Sequence, residues 1–103
     1  MQKIAFKMKL KPGMQQEYQR RHAEIWPELV ALLKESGISD YTIFLDEQTD
    51  ILFAVQRLNH GSSQDLGDNE LVQRWWQYMA DLMDTHEDFS PVTLPLIEMF
   101  HLD

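Results

Sequence analysis

Tyr41-Thr42-Ile43-Phe44-Leu45, then Asp46-Glu47-Gln48-Thr49-Asp50, then Ile51-Leu52-Phe53-Ala54-Val55: two β-rich runs joined by five polar residues decide how this chain is read. β-branched and aromatic runs bounded by turn-forming residues read as the strands of a hairpin, here over 40–46 and 51–58. Working outward toward the N-terminus, residues 14–36 change period. Counted at 100° per residue from Tyr18, the side chains Met14, His22, Ile25, Leu29, Leu32 and Leu33 fall within about 60° of one line, an amphipathic helix closed by Gly37. Pro27 removes a hydrogen bond to the Ala23 carbonyl, so a kink or a break is expected there, with Pro27 opening a second segment. Before Pro12-Gly13, residues 3–11 alternate Ile4, Phe6, Met8 and Leu10 with lysines, the period of a half-buried strand.

On the other side of the hairpin, 59–69 is rich in Gly, Ser, Asp and Asn and reads as a loop or a loosely formed helix start. Asp68 is the expected N-cap of a helix over 70–83, whose stripe is Leu71, Val72, Trp75, Met79, Leu82 and Met83. An acidic connection with two prolines follows over 84–95, and 96–102 is expected to form the last strand. The order β-α-β-β-α-β is that of an α+β, ferredoxin-like domain spanning 1–103, with helices on one face of a four-stranded antiparallel sheet. Both candidate faces, Tyr41, Ile43 and Leu45 or Thr42 and Phe44, carry apolar side chains, and helices cover only one. A symmetric homodimer burying sheet against sheet is the expected solution.

The chain has 103 residues, enough for a core without disulfides or a structural metal, and its lack of cysteine removes thiolate catalysis and every cysteine-based metal site. A net charge of −8 disfavours nucleic acid and anionic membrane surfaces as partners. No apolar run approaches the roughly 18 residues of a membrane span, and the N-terminus lacks the apolar block of a secretory signal, so the cytoplasm is the expected location. Glycine-rich phosphate loops, nucleophile elbows and dinucleotide fingerprints are missing from the sequence. His86-Glu87-Asp88 reads as a solvated loop charge run, not a metal site.

Candidate chemistry rests on few residues. His22 lies on the apolar stripe with Tyr18 four positions before it and Trp26 four after, so a phenol, an imidazole and an indole follow one helix face. Either His22 is a hydrogen-bonded core histidine, or the three polar tips line a pocket that meets hydroxyl groups. Trp75 is central on the second stripe and Trp76 lies about 100° round at its edge, where a flat ligand face or a subunit would cover it. Arg20 and Arg21, three or four positions from Glu17 and Glu24, read as a solvated, salt-bridged helix face.

Arg20-Arg21-His22, Ile25-Trp26-Pro27-Glu28-Leu29, Tyr41-Thr42-Ile43-Phe44-Leu45-Asp46, Leu52-Phe53-Ala54 and Gln73-Arg74-Trp75-Trp76-Gln77-Tyr78-Met79 together resemble the L-rhamnose mutarotase family over nearly the whole chain. The resemblance implies a dimeric α+β barrel of ferredoxin-like protomers that interconverts the anomers of L-rhamnose without cofactor or metal. It implies His22 as proton donor and Tyr18, Tyr41, Trp75 and Trp76 as substrate contacts. The stretch 56–69 departs from the family pattern, being shorter and richer in Gly, Ser and Asp. The chemistry agrees with the residues: ring opening needs a proton delivered to the ring oxygen and one removed from the anomeric hydroxyl. The partner base is open among Tyr18, Tyr41, a carboxylate and a water. Two other readings share the architecture, namely a small-molecule sensor module and a cofactor-free monooxygenase or lactone isomerase.

Overall fold

A computed structural model describes residues 2–103. The strand β1 (Gln2–Lys9) leads into α1 (Gln15–Ala23) and α2 (Pro27–Glu35), then the hairpin β2 (Ile38–Asp46) and β3 (Ile51–Leu58), then α3 (Glu70–Met79) and the short β4 (Leu94–Pro95). Strand order is β2-β3-β1-β4 with every neighbouring pair antiparallel, the α+β arrangement expected of a ferredoxin-like fold. The register pairs Phe6 with Ala54, Met8 with Leu52, Ile43 with Ala54 and Leu45 with Leu52. Since side chains alternate across a strand, Phe6, Met8, Tyr41, Ile43 and Leu45 share the helix-covered face with Leu52, Ala54 and Gln56. Thr42, Phe44, Phe53 and Val55 lie on the opposite face, together with Ala5 and the lysines of β1, which settles the choice of faces.

Pro27 breaks the first helix rather than kinking it. α1 ends at Ala23, Trp26 is the extended N-cap residue of α2, and Pro27 stands at the first helical position, where its missing N–H costs nothing. α2 closes on Gly37 at φ +86°, a left-handed conformation that suits glycine, and a Cβ there would also come within 2.8 Å of the His60 ring.

Four expectations need correction. The N-cap of α3 is Asn69, not Asp68: its carboxamide oxygen accepts from the Leu71 and Val72 amides at 2.9 and 3.4 Å, a reach that Asp68, one residue farther out, lacks. α3 ends at Met79 and tightens into a 3₁₀ turn over Ala80–Leu82 instead of continuing to 83. β1 stops at Lys9, with Leu10 making an isolated bridge to Met83. The last strand is Leu94–Pro95, and 96–102 adds only the Leu96 amide to the Ala5 carbonyl before leaving β1. An apolar tail forms a strand only where a partner edge and a covered face await it, and within this chain Ile97, Met99, Phe100 and Leu102 remain 80–87% exposed.

Candidate active site

The helical period places Tyr18 and His22 one turn apart on α1, facing the sheet, with ring centroids 4.4 Å apart. α3 supplies Trp75, whose ring meets the His22 imidazole edge-on at 5.4 Å and 87°. The imidazole thus lies between two aromatic rings, Tyr18 and Trp75, and Trp26, outside α1, packs against Trp75 at 5.1 Å and 83° rather than against His22. β2 brings in Tyr41 from within a bulge between Ser39 and Thr42, where Asp40 takes φ +48°. Such a bulge turns the next side chain relative to the regular pleat. Between helices and sheet these elements enclose a cavity of about 790 Å³, and Tyr18, His22, Tyr41, Trp75 and Trp76 all line it. The five residues singled out in the sequence thus meet at one place, from three elements.

Trp75 and Trp76 do different things. Trp75 is 8% exposed and belongs to the core cluster. Trp76 is half-buried, lies over the backbone of Gly67 and forms a cavity wall.

Protonation states follow from the geometry. The Nδ1 atom of His22 lies 3.1 Å from the Tyr18 carbonyl oxygen. A carbonyl only accepts, so Nδ1 carries the hydrogen, and in the neutral ring Nε2 keeps a free lone pair. Burial pushes the imidazole pKa below its usual 6.5, outweighing that hydrogen bond, so the neutral tautomer is the resting form at neutral pH. Burial also raises the phenol pKa values of Tyr18 and Tyr41, and a charge on Tyr41 would raise that of Tyr18 further. Although Tyr41 is half-buried as a residue, its phenol end points inward. Both tyrosines are therefore neutral hydroxyls, and neither serves as a resting phenolate base.

Two features escaped the reading of the sequence. Arg20 is the exposed, salt-bridged residue expected beside Glu17 and Glu24, but Arg21 is not. Its side chain, only 12% exposed, reaches Glu17, Asp81 and the Tyr78 carbonyl and lies 4.6 Å over the Tyr78 ring. It thereby ties α1 to the end of α3 and keeps His22 against Trp75; a long-range partner leaves no trace in local spacing. The second is a buried polar pair, Gln56 hydrogen-bonded to Ser63, of which Ser63 lines the cavity together with Tyr41. Among the described residues no cluster of three potential metal ligands occurs.

Comparison with known proteins agrees with this geometry. A family model described as L-rhamnose mutarotase matches residues 3–102. Curated L-rhamnose mutarotases of Bacteroides thetaiotaomicron and Formosa agariphila are 58% and 52% identical to this chain, each over 100% of both sequences. The crystal structure of an L-rhamnose mutarotase from Formosa agariphila superposes with a TM-score of 0.94 at 48% identity, covering 100% of both chains. With sequence and architecture matched end to end, and the aromatic cavity built from the motifs that carried the resemblance, the chain belongs to the L-rhamnose mutarotase family.

Proposed function

We propose that the protein interconverts the α and β anomers of L-rhamnose, or of a closely related 6-deoxy aldose, with His22 moving the proton and Tyr18, Tyr41, Trp75 and Trp76 forming the sugar site. Family membership supports the activity. The observation that carries the mechanism is the imidazole held by the Tyr18 carbonyl through Nδ1.

As the ring opens, the anomeric hydroxyl gives its proton to Nε2 of His22. The C1–O5 bond breaks with its electron pair going to O5, which takes a proton from a hydroxyl of the site. The aldehyde turns about C1–C2. On closing, O5 returns its proton and attacks the other face of C1, and the His22 imidazolium donates its proton to O1. His22 is thus a base in opening and the proton donor in closing; protons balance over the cycle and nothing is oxidised or reduced. Trp76 offers a flat apolar face to the C–H side of the sugar, while Trp75 holds the imidazole in register. The apolar C5 methyl of a 6-deoxy sugar suits these walls better than a hydroxymethyl group would.

The assembly in this reading is a homodimer closed sheet against sheet into an α+β barrel. Supporting it are Phe44, 61% exposed on the uncovered face, and the exposed apolar tail that follows β4. Exchange spectroscopy on the L-rhamnose anomers tests the activity. Exchange above the buffer rate is expected; line broadening without exchange would instead indicate a sensor module, and no interaction would return the cofactor-free monooxygenase or lactone isomerase reading.

A further inference from the structure

We propose that Ser63 is a sugar-binding residue: its hydroxyl, held by Gln56 and Gln64 with only its hydrogen left to give, donates to a non-reacting hydroxyl of the sugar and helps to select it. The inference rests on the mutarotase reading above and deepens it, adding to the sugar site a side chain that the resemblance does not supply. Gln56 lies on the helix-covered side of β3, in line with Ala54 and Leu58, and is 0% exposed where an aliphatic side chain would pack more simply. A carboxamide buried that deeply is costly unless its hydrogen bonds are met. Both of its ends go to one residue. Its oxygen accepts from the Ser63 backbone amide at 3.2 Å, and its nitrogen donates to the Ser63 hydroxyl oxygen. A backbone N–H can only donate, so the carboxamide end that faces it is the oxygen, and the end that faces the hydroxyl is the nitrogen.

A serine hydroxyl has two lone pairs and one hydrogen. Gln56 takes one lone pair, and the Gln64 carboxamide nitrogen, donating at 3.2 Å, takes the other. The hydrogen remains, and among the described residues no hydrogen bond is donated by it. Ser63 is nevertheless 7% exposed and lies on the wall of the cavity that holds His22, Tyr41 and Trp76. A donor fixed at such a place is met by an oxygen that enters the cavity.

The turn that carries Ser63 is tied to the indole wall. It runs from Ser63 to Leu66, is capped reciprocally by Ser62 and Asp65, and ends at Gly67, against which the Trp76 ring lies. Gln73 of α3 donates to the Gly67 carbonyl at 2.7 Å and fixes the same junction. One short segment therefore joins a flat apolar face to a fixed O–H, and a sugar ring asks for both: contact over its C–H side and a donor for an oxygen at its edge. His22 is occupied with the anomeric end, which leaves the hydroxyls on C2, C3 and C4 for Ser63. None of these changes its bonding during the reaction, so the contact is equally strong in the ground and transition states and lowers KM without raising kcat.

Titration calorimetry of the parent and Ser63→Ala proteins with L-rhamnose and its 2-deoxy, 3-deoxy and 4-deoxy forms tests the assignment. Ser63→Ala should weaken L-rhamnose binding about five- to tenfold, the loss of one hydrogen bond, and exchange spectroscopy should show KM raised in step with kcat within about twofold. With one of the three deoxy sugars, parent and variant should bind within about twofold of each other, because the partner of the serine is already missing; with the other two the full loss should persist. Ser63→Thr, which keeps the hydroxyl, should recover most of the affinity. An equal loss with all three deoxy sugars, or no loss with L-rhamnose, overturns the proposal and makes the serine a support of the wall. If Ser63→Ala does not fold, Ser63→Cys takes its place, since a thiol still accepts from Gln56 but donates only weakly; failure of both to fold likewise makes the serine structural and overturns it. Absence of anomer exchange in the parent protein, with the dependence on one sugar hydroxyl intact, would count against the mutarotase reading instead.

Discussion

An imidazole whose δ nitrogen is committed to a backbone carbonyl has one nitrogen left for chemistry, and the form in which it waits decides how activity depends on pH. Because burial lowers the His22 pKa, the free lone pair at Nε2 is present at neutral pH and is lost only in acid. The profile of kcat/KM should therefore be flat above neutrality and fall as pH drops through a value below 6.5. The raised phenol pKa values keep any alkaline limb distant. A rate that climbs as pH falls from 7 to 5 would mean that His22 enters the cycle as imidazolium. Replacing His22 with Ala or Asn should slow exchange by roughly 10²-fold or more while L-rhamnose still binds, measured by exchange spectroscopy and titration calorimetry. An unchanged rate in a folded variant would make His22 a core residue. For Trp76, the Ala variant should weaken sugar binding and reduce the sugar-induced change in indole fluorescence while leaving the melting temperature nearly unchanged; unfolding without any fluorescence response would put the indole in the core.

The helices that carry these side chains are short, and their ends matter more than their interiors. α3 holds Trp75 and Trp76 and is started by Asn69, whose carboxamide satisfies two amides otherwise left open. Asn69→Ala should cost about 1 kcal/mol, a fall in melting temperature of about 4–8 °C for a domain of this size. Asp68→Ala should cost less than about 0.5 kcal/mol, as ordinary surface changes do. Equal costs in thermal melts would show that Asp68 shares the cap. α1 is held against α3 by Arg21 between Glu17 and Asp81, and the Arg20 and Arg21 guanidiniums keep the Glu17 carboxyl down at about 2. A carboxylate with a depressed folded-state pKa stabilises fully above its unfolded value of 4.5 and loses that contribution as pH falls toward 2. His22 acts in the same sense at higher pH: its contribution is complete above 6.5 and is withdrawn as acid protonates a ring that is neutral when folded.

For the molecule as a whole, the sheet poses the remaining problem. Its inner face is closed by α1, α2 and α3 into the cluster of Phe6, Met8, Leu52, Ala54, Val72 and Met79. Its outer face carries Phe44, and beyond β4 four apolar side chains stand 80–87% exposed. In the proposed dimer this surface is the interface, and a two-fold contact is the simplest way to close it. Sedimentation at micromolar concentration should give twice the chain mass, and Phe44→Glu or Phe100→Glu should shift the equilibrium toward the single chain with the fold retained. A monodisperse single chain in the parent protein would remove the barrel from the proposal.

Periodicity in the sequence was enough for the element types, their order and the inward direction of Tyr18, His22 and Trp75, because which face a residue shares depends only on 3.6- and two-residue repeats. The hairpin, the break at Pro27 and the stop at Gly37 were equally local, resting on the chemistry of a few neighbouring residues. The convergence of Tyr41 with His22, 19 positions away, was legible only through the family resemblance. Three-dimensional packing decided what local spacing does not encode: that Asn69 and not Asp68 reaches the first free amides, and that Arg21 turns inward to Asp81 while Arg20 stays in water. It also decided that Ser63, from a loop without periodicity, closes on the buried Gln56. The protonation states are partly tertiary for the same reason, since the burial that lowers the His22 pKa includes Trp75, 53 positions away along the chain.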